Sequence, residues 1–220
     1  MSRNRHPGLN ASPGLENQIK NLLELDCHWS RKFSIYNRDN RISYQIRPAL
    51  KFLEFTGHGI PWLLYGVAMI YTTEGETKVF FWKLMIGLIL DLIVVAILKL
   101  VVKRPRPSYN EKDMNLTLAI DDFAFPSGHT TRVFMVFLLY CFFNVTITTK
   151  VFMFLWAVTV AISRVVLGRH HISDVFCGIW IGLFQAVFVL AYVPLISSSQ
   201  IFYLTWFHEV LDYFWMCRWK

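Results

Sequence analysis

Five long apolar stretches, separated by polar segments, constrain this chain more than any other feature of its sequence. They cover roughly residues 49–71, 79–101, 129–147, 150–167 and 174–195. Each approaches the ~20 residues with which a helix crosses a bilayer while satisfying its own backbone hydrogen bonds. Hydrophobic residues make up 55% of the 220 residues, more than a soluble domain usually carries. We therefore expect an all-α fold, a polytopic membrane helix bundle.

The segments outside these runs predict a polar N-terminal region and a further helix near the other end. Residues 1–24 are rich in Asn, Pro, Gly and charge and are expected to be disordered. Residues 25–47 mix aromatic and basic side chains, which favours an amphipathic interfacial segment. A tail over 1–47 would thus precede a membrane domain over 48–220. The last apolar run, about 200–216, would span the membrane or lie at its surface, and it carries three polar residues: His208, Glu209 and Asp212.

Counting membrane crossings places two polar segments on the same side of the membrane. Residues 102–128 separate the second and third apolar runs, and residues 168–173 separate the fourth and fifth. Because the chain returns to its starting side after every second crossing, both segments lie on the N-terminal side. We expect the unusual polar residues in and beside them to meet at this face: Lys99, Arg104, Arg106, Ser127, Gly128, His129, Arg164, His170 and Asp174.

Together, these residues have the chemistry of a phosphoryl-transfer site. Arg binds phosphate oxygens in bidentate fashion, Lys adds a point charge, and N–H groups at a helix start, here Ser127-Gly128, favour an anion. His170 and Asp174 are four residues apart, so on a helix the carboxylate would orient one ring nitrogen and leave the other as a nucleophile. His129 would then protonate the leaving oxygen. The set predicts a phosphohistidine intermediate.

Each of these residues also has a simpler structural explanation. Arg and Lys at helix ends extend to the interface, and Pro-Ser-Gly before a helix forms a turn and a cap. His171 has no partner at four-residue spacing and is expected to be structural. Asp91 lies in mid-span, where a charge costs ~2.5–3.5 kcal/mol, so it must face the interior, with a packing or a relay role. These explanations do not account for the whole set at one face.

Three motifs carry the set: "KLVVKRPRP" (99–107), "PSGH" (126–129) and "SRVVLGRHHISD" (163–174). They resemble the sequence blocks of the type 2 phosphatidic acid phosphatase (PAP2) superfamily, the lipid phosphate phosphatases, and all eleven specified positions are present in order. The resemblance extends from about residue 80 to 180.

The resemblance to this superfamily implies a six-helix membrane core and hydrolysis of a lipid phosphate without a metal or another cofactor. It implies that His170 is the nucleophile, that Asp174 orients it, and that His129 is the acid for the leaving group. It also implies a set of phosphate-binding residues: Lys99, Arg106, Ser127, Gly128 and Arg164.

The sequence in and around the motifs most resembles that of the polyisoprenoid diphosphate phosphatases of the presqualene type. The segments that carry this resemblance are "KRPRPSYNEKDM", "FAFPSGHTTR" and "LGRHHISDV". Presqualene, farnesyl or geranylgeranyl diphosphates or monophosphates are the substrates that this implies. A broad phosphatidate or sphingoid phosphate phosphatase, a lipid phosphotransferase and a non-enzymatic membrane scaffold are the alternatives, and the intact histidine pair argues against the scaffold. The net charge of +7 is attributed to membrane flanks and the phosphate site, not to nucleic acid.

The distribution of basic residues predicts the orientation of the bundle. With the active-site cations discounted, the other side of the membrane carries only Lys78 and Lys150. The N-terminal side keeps many more: Arg31, Lys32, Arg38, Arg41, Arg47, Lys103, Arg104, Lys112 and Arg169. The N-terminus and the active site are therefore expected to face the cytoplasm. The membrane is expected to be an internal one, that of the endoplasmic reticulum or nuclear envelope. Glycosylation of Asn115, which lies in a sequon, would contradict this.

Overall fold

The computed structural model describes residues 13–35, 41–111 and 122–193, so the run at 200–216 and Asn115 lie outside the described residues. Within them the chain forms helices and no sheet, as expected for an all-α fold. In chain order the helices are α1 (Pro13–Phe33), α2 (Arg41–Thr56), α3 (Gly59–Thr72), α4 (Gly75–Val102), α5 (Gly128–Phe142), α6 (Ile147–Val166) and α7 (Ile172–Tyr192).

The lengths and surfaces of these helices are those of a membrane protein. Helices α4, α6 and α7 are long and apolar enough to cross a bilayer, while α3 and α5 are shorter apolar helices. Large apolar side chains such as Leu92, Phe152 and Phe184 point outward from the bundle, where lipid rather than water can cover them. The expected integral membrane bundle is confirmed.

The first apolar run, 49–71, does not form one continuous helix, because α2 gives way to α3 at Gly57-His58. A Cβ at Gly57 would lie 2.9 Å from Val160 and 3.3 Å from the His129 ring. The missing side chain therefore lets α5 and α6 approach the break. The His58 ring restarts the helix, since its Nδ1 accepts a hydrogen bond of 3.3 Å from the backbone N–H two residues on.

The N-terminal region also differs from the expectation, because residues 13–24 belong to helix α1 instead of a disordered tail. This helix lies against the beginning of α7. Ser30 and Asp26 accept hydrogen bonds from the first two backbone N–H groups of α7, at 2.9 and 3.1 Å. Such groups have no acceptor within their own helix, so α1 caps α7 through a contact between distant segments. Helix α2 in turn continues across the expected domain boundary at residue 47.

Helix α5 lies at the centre of the bundle and packs closely against α7. The side chains of Val133, Met135 and Val136 are fully buried. A Cβ at Gly182 of α7 would come within 2.1 Å of the Thr131 carbonyl oxygen, so only glycine permits this approach. The close packing brings the beginnings of α5 and α7 together at the end of the bundle where α4 and α6 finish.

Candidate active site

The polar residues expected to meet lie at this end of the bundle. Arg106, Arg164 and Lys99 all act electrostatically on the ring of His170, which places the cations of two different motifs around one imidazole. The members of the set that are buried are Lys99, Ser127, His129, Arg164, His170 and Asp174. Arg106 is half-buried in the segment after α4. The structure therefore assembles one site from the ends of four helices.

His170 is held in the tautomer that a nucleophile requires. Its Nδ1 lies 2.7 Å from the backbone carbonyl oxygen of Ala124. Because a carbonyl oxygen only accepts, Nδ1 must carry the hydrogen, and Nε2 keeps its lone pair. Burial, together with the charges of Arg106, Arg164 and Lys99, lowers the pKa of His170 well below its ordinary value of 6.5. The ring is therefore neutral at neutral pH.

Asp174 does not make the contact with His170 that its four-residue spacing predicts. Its carboxylate accepts hydrogen bonds from the backbone N–H of His171 at 2.8 Å and lies 3.1 Å from the His171 ring. The reason is that α7 begins at Ile172, so His170 precedes the helix cap and is not one helical turn away. The group that contacts Nδ1 of His170 is instead the carbonyl oxygen of Ala124. His171, which has no partner at four-residue spacing, contacts Asp174 at three-residue spacing.

An ion-pair chain links Asp174 to helix α1. Arg104 lies 2.6 Å from Asp174 and 2.7 Å from Asp26, and the Ser173 hydroxyl donates to Asp26 at 2.5 Å. Burial would raise the pKa of Asp26, but hydrogen bonds from Ser173 and Arg104 outweigh it and hold the pKa below its usual value. Arg104 was expected at this face, but its link to Asp174 was not predicted, and Asp26 was expected only as part of an interfacial segment.

Arg164 binds a carboxylate of the protein itself. Glu54 of α2 lies 2.9 Å from Arg164 and 3.6 Å from Arg169. Both guanidinium groups are fully buried, and buried charges require an opposite charge nearby. A phosphate would therefore enter a site in which Glu54 already balances part of the positive charge. Glu54 could have been identified from the sequence, because it is an acid inside an apolar run, as Asp91 is.

His129 carries a buried ring nitrogen that has no hydrogen-bond partner in the described part of the chain. Its Nε2 is buried and forms no hydrogen bond within residues 13–35, 41–111 and 122–193. Since buried polar atoms are nearly always hydrogen-bonded, an atom left in this state at a cation-lined site fits contact with a bound substrate. The ring of His58 lies beside it, with the ring centroids 5.8 Å apart.

The beginning of α5 supplies fewer anion-binding groups than expected. The Ser127 backbone N–H donates to the Asp174 carbonyl oxygen at 3.3 Å. Its hydroxyl is buried and accepts a hydrogen bond of 2.9 Å from Thr130. Of the two expected donors, the N–H of Gly128 remains as one of the first-turn groups of α5 that have no acceptor within the helix.

Asp91 lies in the interior, as predicted, and is completely buried. Its partner is Arg132 of α5, at 2.9 Å, and Arg132 also donates a hydrogen bond of 3.2 Å to the carbonyl oxygen of Gly57. Arg132 was not among the predicted residues, although a basic residue within the third apolar run is itself a signal of a buried polar contact. The buried ion pair thus connects mid-membrane α4 to the break between α2 and α3.

Comparison with known proteins places this chain among phosphatases. Residues 80–197 match the family that is described as the PAP2 superfamily. The probable lipid phosphate phosphatase beta of Arabidopsis thaliana is 32% identical over 155 residues, which cover 59% of this chain and 73% of that protein.

Two solved structures share the fold. LpxE of Aquifex aeolicus is 24% identical with a TM-score of 0.57, and the match covers 76% of this chain and 96% of that one. A transmembrane PAP2-type phosphatidylglycerolphosphate phosphatase of Bacillus subtilis is 19% identical with a TM-score of 0.60, over 80% of this chain and 88% of that one.

Proposed function

Since the chain belongs to the PAP2 superfamily and is a membrane-embedded lipid phosphatase, we propose that it hydrolyses polyisoprenoid diphosphates or monophosphates through a phosphohistidine at His170, without a metal. The observation that carries the proposal is the state of the two histidines. His170 has its Nδ1 engaged by Ala124 and its Nε2 ready to attack, while Nε2 of His129 is buried without a hydrogen bond in the described part of the chain.

The reaction follows from these two rings. Nε2 of His170 attacks phosphorus, a nitrogen–phosphorus bond forms, and the bond from phosphorus to the leaving oxygen breaks. The leaving oxygen takes the proton of His129. General acid catalysis of this kind typically increases the rate by ~10²–10⁴-fold. Water then attacks the phosphohistidine, His129 takes the proton of that water, and inorganic phosphate leaves with His170 restored.

Fixed positive charge would replace a metal ion in this site. Lys99, Arg106 and Arg164 act electrostatically on His170, and α5 begins at Gly128, so the N–H groups of its first turn lie at the same end of the bundle. In enzymes that stabilise an oxyanion, each preorganised donor of this kind increases kcat by ~10²–10³-fold. Because Lys99 and Arg164 are buried, water screens their charges less than it screens charges on a surface.

The substrate class and the location are part of the proposal. The sequence in and around the three motifs supports the polyisoprenoid substrate. The excess of basic residues on the N-terminal side supports an active site that faces the cytoplasm. We also propose that the membrane is that of the endoplasmic reticulum or nuclear envelope. The apolar outer surface of the bundle suits a substrate that reaches the site from the bilayer.

Phosphate release by the full-length protein in detergent, with a chelator present, tests the mechanism. Activity should survive removal of divalent ions, and His170→Ala should lower it by at least ~10³-fold, while His28→Ala, at an exposed histidine of α1, should leave it unchanged. Acid-labile, alkali-stable phosphate should appear on the wild-type protein and on His28→Ala but not on His170→Ala. Strict dependence on Mg²⁺ would refute the metal-free reaction, and comparable activity in His170→Ala would refute the phosphohistidine.

A panel of matched lipids tests the substrate class. Farnesyl diphosphate and farnesyl monophosphate should be hydrolysed faster than phosphatidate and sphingosine phosphate at equal mole fraction in the micelle. Preference for the glycerol or sphingoid phosphates would refute the isoprenoid assignment. Recovery of a phosphorylated alcohol instead of free phosphate would identify a phosphotransferase.

A further inference from the structure

Arg164 is a cation that the two histidines of the site share. It acts electrostatically on the ring of His170 and also on the ring of His129. In the proposed reaction the phosphoryl group is held between the nucleophile and the acid for the leaving group. A guanidinium that acts on both rings therefore suits the phosphate of the substrate and the phosphate that is released.

The carboxylate of Glu54 binds this cation from helix α2. One of its oxygens accepts a hydrogen bond of 2.9 Å from Arg164, and the other lies 3.6 Å from Arg169. Arg169 also donates to the side chain of Asn110 at 3.1 Å and to the carbonyl oxygen of Glu111. Of the two guanidinium groups, Arg164 is thus the one with which Glu54 makes the closer contact.

The end of α2 is fixed against α6, the helix that carries Arg164 in its last turn. The indole N–H of Trp156 in α6 donates a hydrogen bond of 3.0 Å to the hydroxyl of Thr56. Glu54 lies two residues before Thr56 in the same helix, so its backbone is held at a set distance from α6. Its side chain is only 12% exposed, which leaves little water to replace Arg164 as its partner.

A site with several fixed cations tends to retain its product. Hydrolysis of the phosphohistidine leaves inorganic phosphate beside the same Lys99, Arg106 and Arg164 side chains that bind the phosphate of the substrate. Lys99 and Arg164 are buried, so water weakens their attraction for an anion less than it would at a surface. Cations that hold substrate and product equally tightly lower KM without raising kcat.

We propose that Glu54 weakens the binding of phosphate at Arg164 and thereby speeds the release of inorganic phosphate. This role of Glu54 rests on the proposed function, in which Arg164 binds the phosphate. A guanidinium carries five N–H donors and can bind two anions at once, but the carboxylate and the phosphate then repel each other across it. Glu54 acts through Arg164 and not on the reacting atoms.

The repulsion from Glu54 affects the product more than the substrate. The substrate carries a lipid chain, and burial of that chain in the bilayer supplies binding energy that does not depend on the phosphate. Inorganic phosphate has no such chain, so its affinity for the site depends on the cations alone. A fixed carboxylate therefore favours release of the product while the substrate is still held.

The test measures Ki for inorganic phosphate with the full-length protein in detergent at constant ionic strength. The substrate is the lipid phosphate that the wild-type protein hydrolyses fastest. Glu54→Gln should lower Ki by about 10- to 100-fold, the size of one interaction with a charged group. Both kcat and KM should fall, because release of phosphate becomes slow. Glu24→Gln, which removes an exposed acid of α1, should change none of these values.

The direction of the change in Ki separates this role from a merely structural one. If Glu54 only held Arg164 in place, its loss would misplace a phosphate ligand, and Ki and KM would rise. An unchanged or raised Ki in Glu54→Gln therefore overturns the proposed role. Glu54→Asp keeps the charge but withdraws it by one methylene, so its Ki should lie between those of Glu54→Gln and the wild-type protein.

Glu54→Asp also decides the question if Glu54→Gln does not fold, since loss of the carboxylate leaves buried cations without a counter-charge. The Ki of Glu54→Asp should then be lower than that of the wild-type protein, and an equal or higher Ki refutes the proposed role.

Direct binding of phosphate distinguishes failure of this role from failure of the proposed function. A ligand that binds the folded state raises the melting temperature, so thermal unfolding with added phosphate reports affinity without turnover. Tighter binding by Glu54→Gln, together with full activity in His170→Ala, would refute the phosphohistidine and retain the role of Glu54. Activity that is lost in His170→Ala, together with equal phosphate binding by Glu54→Gln and the wild-type protein, would do the reverse.

Discussion

Replacing Asp91 by Asn leaves the Arg132 guanidinium without its counter-charge in the middle of the bundle. The two side chains are 2.9 Å apart, Asp91 is fully buried, and the Arg132 side chain is 7% exposed. Arginine cannot lose its proton, so it cannot escape the cost by becoming neutral. Breaking a buried pair by removing one partner costs about 3–5 kcal/mol. For a chain of this size the melting temperature should fall by about 6–20 °C.

Removing both charges should be less harmful than removing one. In the double variant Asp91→Asn, Arg132→Met no unpaired charge remains, but the hydrogen bond from Arg132 to the Gly57 carbonyl oxygen, 3.2 Å long, is also lost. Leaving that buried oxygen unsatisfied costs about 1–3 kcal/mol. The double variant should therefore be more stable than Asp91→Asn by about 2 kcal/mol.

Thermal and SDS-induced unfolding of purified protein in mild detergent would measure these differences. Glu76→Gln is the matched control, because Glu76 is an exposed acid in the same helix and its loss should cost no more than about 1 kcal/mol. If Asp91→Asn costs less than about 1 kcal/mol, or if the double variant is the sum of the two single ones, the ion pair does not stabilise the bundle and this reasoning fails.

Two further predictions concern the site. Asp26→Asn should weaken the ion pair with Arg104 and speed hydrogen exchange of the Ser173 amide. Glu24→Gln, which changes an exposed acid of α1, should have neither effect. Equal exchange in both variants would show that α1 does not cap α7. Because the pKa of His170 is lowered from 6.5, its neutral, nucleophilic form persists below pH 6.5 and is lost only as pH falls through the lowered value. The rate of phosphohistidine formation should therefore hold its plateau at pH 6.0, and a decline already centred at or above pH 6.5 would contradict the burial of this ring.

The general architecture could be predicted because it depends on local and topological properties. An apolar run near the length that crosses a bilayer must form a helix in lipid, where backbone groups have no water to bind. The number of crossings then decides which segments share a side. This is enough to bring Lys99, His129, Arg164 and His170 to one end of the bundle without any knowledge of packing.

The contacts within the site could not be predicted from spacing. The four-residue interval between His170 and Asp174 implies a contact only if both lie in one helix, and α7 begins two residues after His170. That boundary moves the carboxylate to His171 and Arg104. The partner of the His170 ring is the carbonyl of Ala124, a group that every residue carries and that no motif can identify.

The sequence by itself determined the candidate site residues and the end of the bundle at which they gather, because both follow from residue type, order and the length of apolar runs. The tertiary structure decided which charge balances which. Glu54, Arg132 and Asp26 reach their partners across 110, 41 and 78 residues of chain respectively. Buried charges must be paired, but the choice among acids and bases depends on which helices pack together, and only the folded bundle provides it.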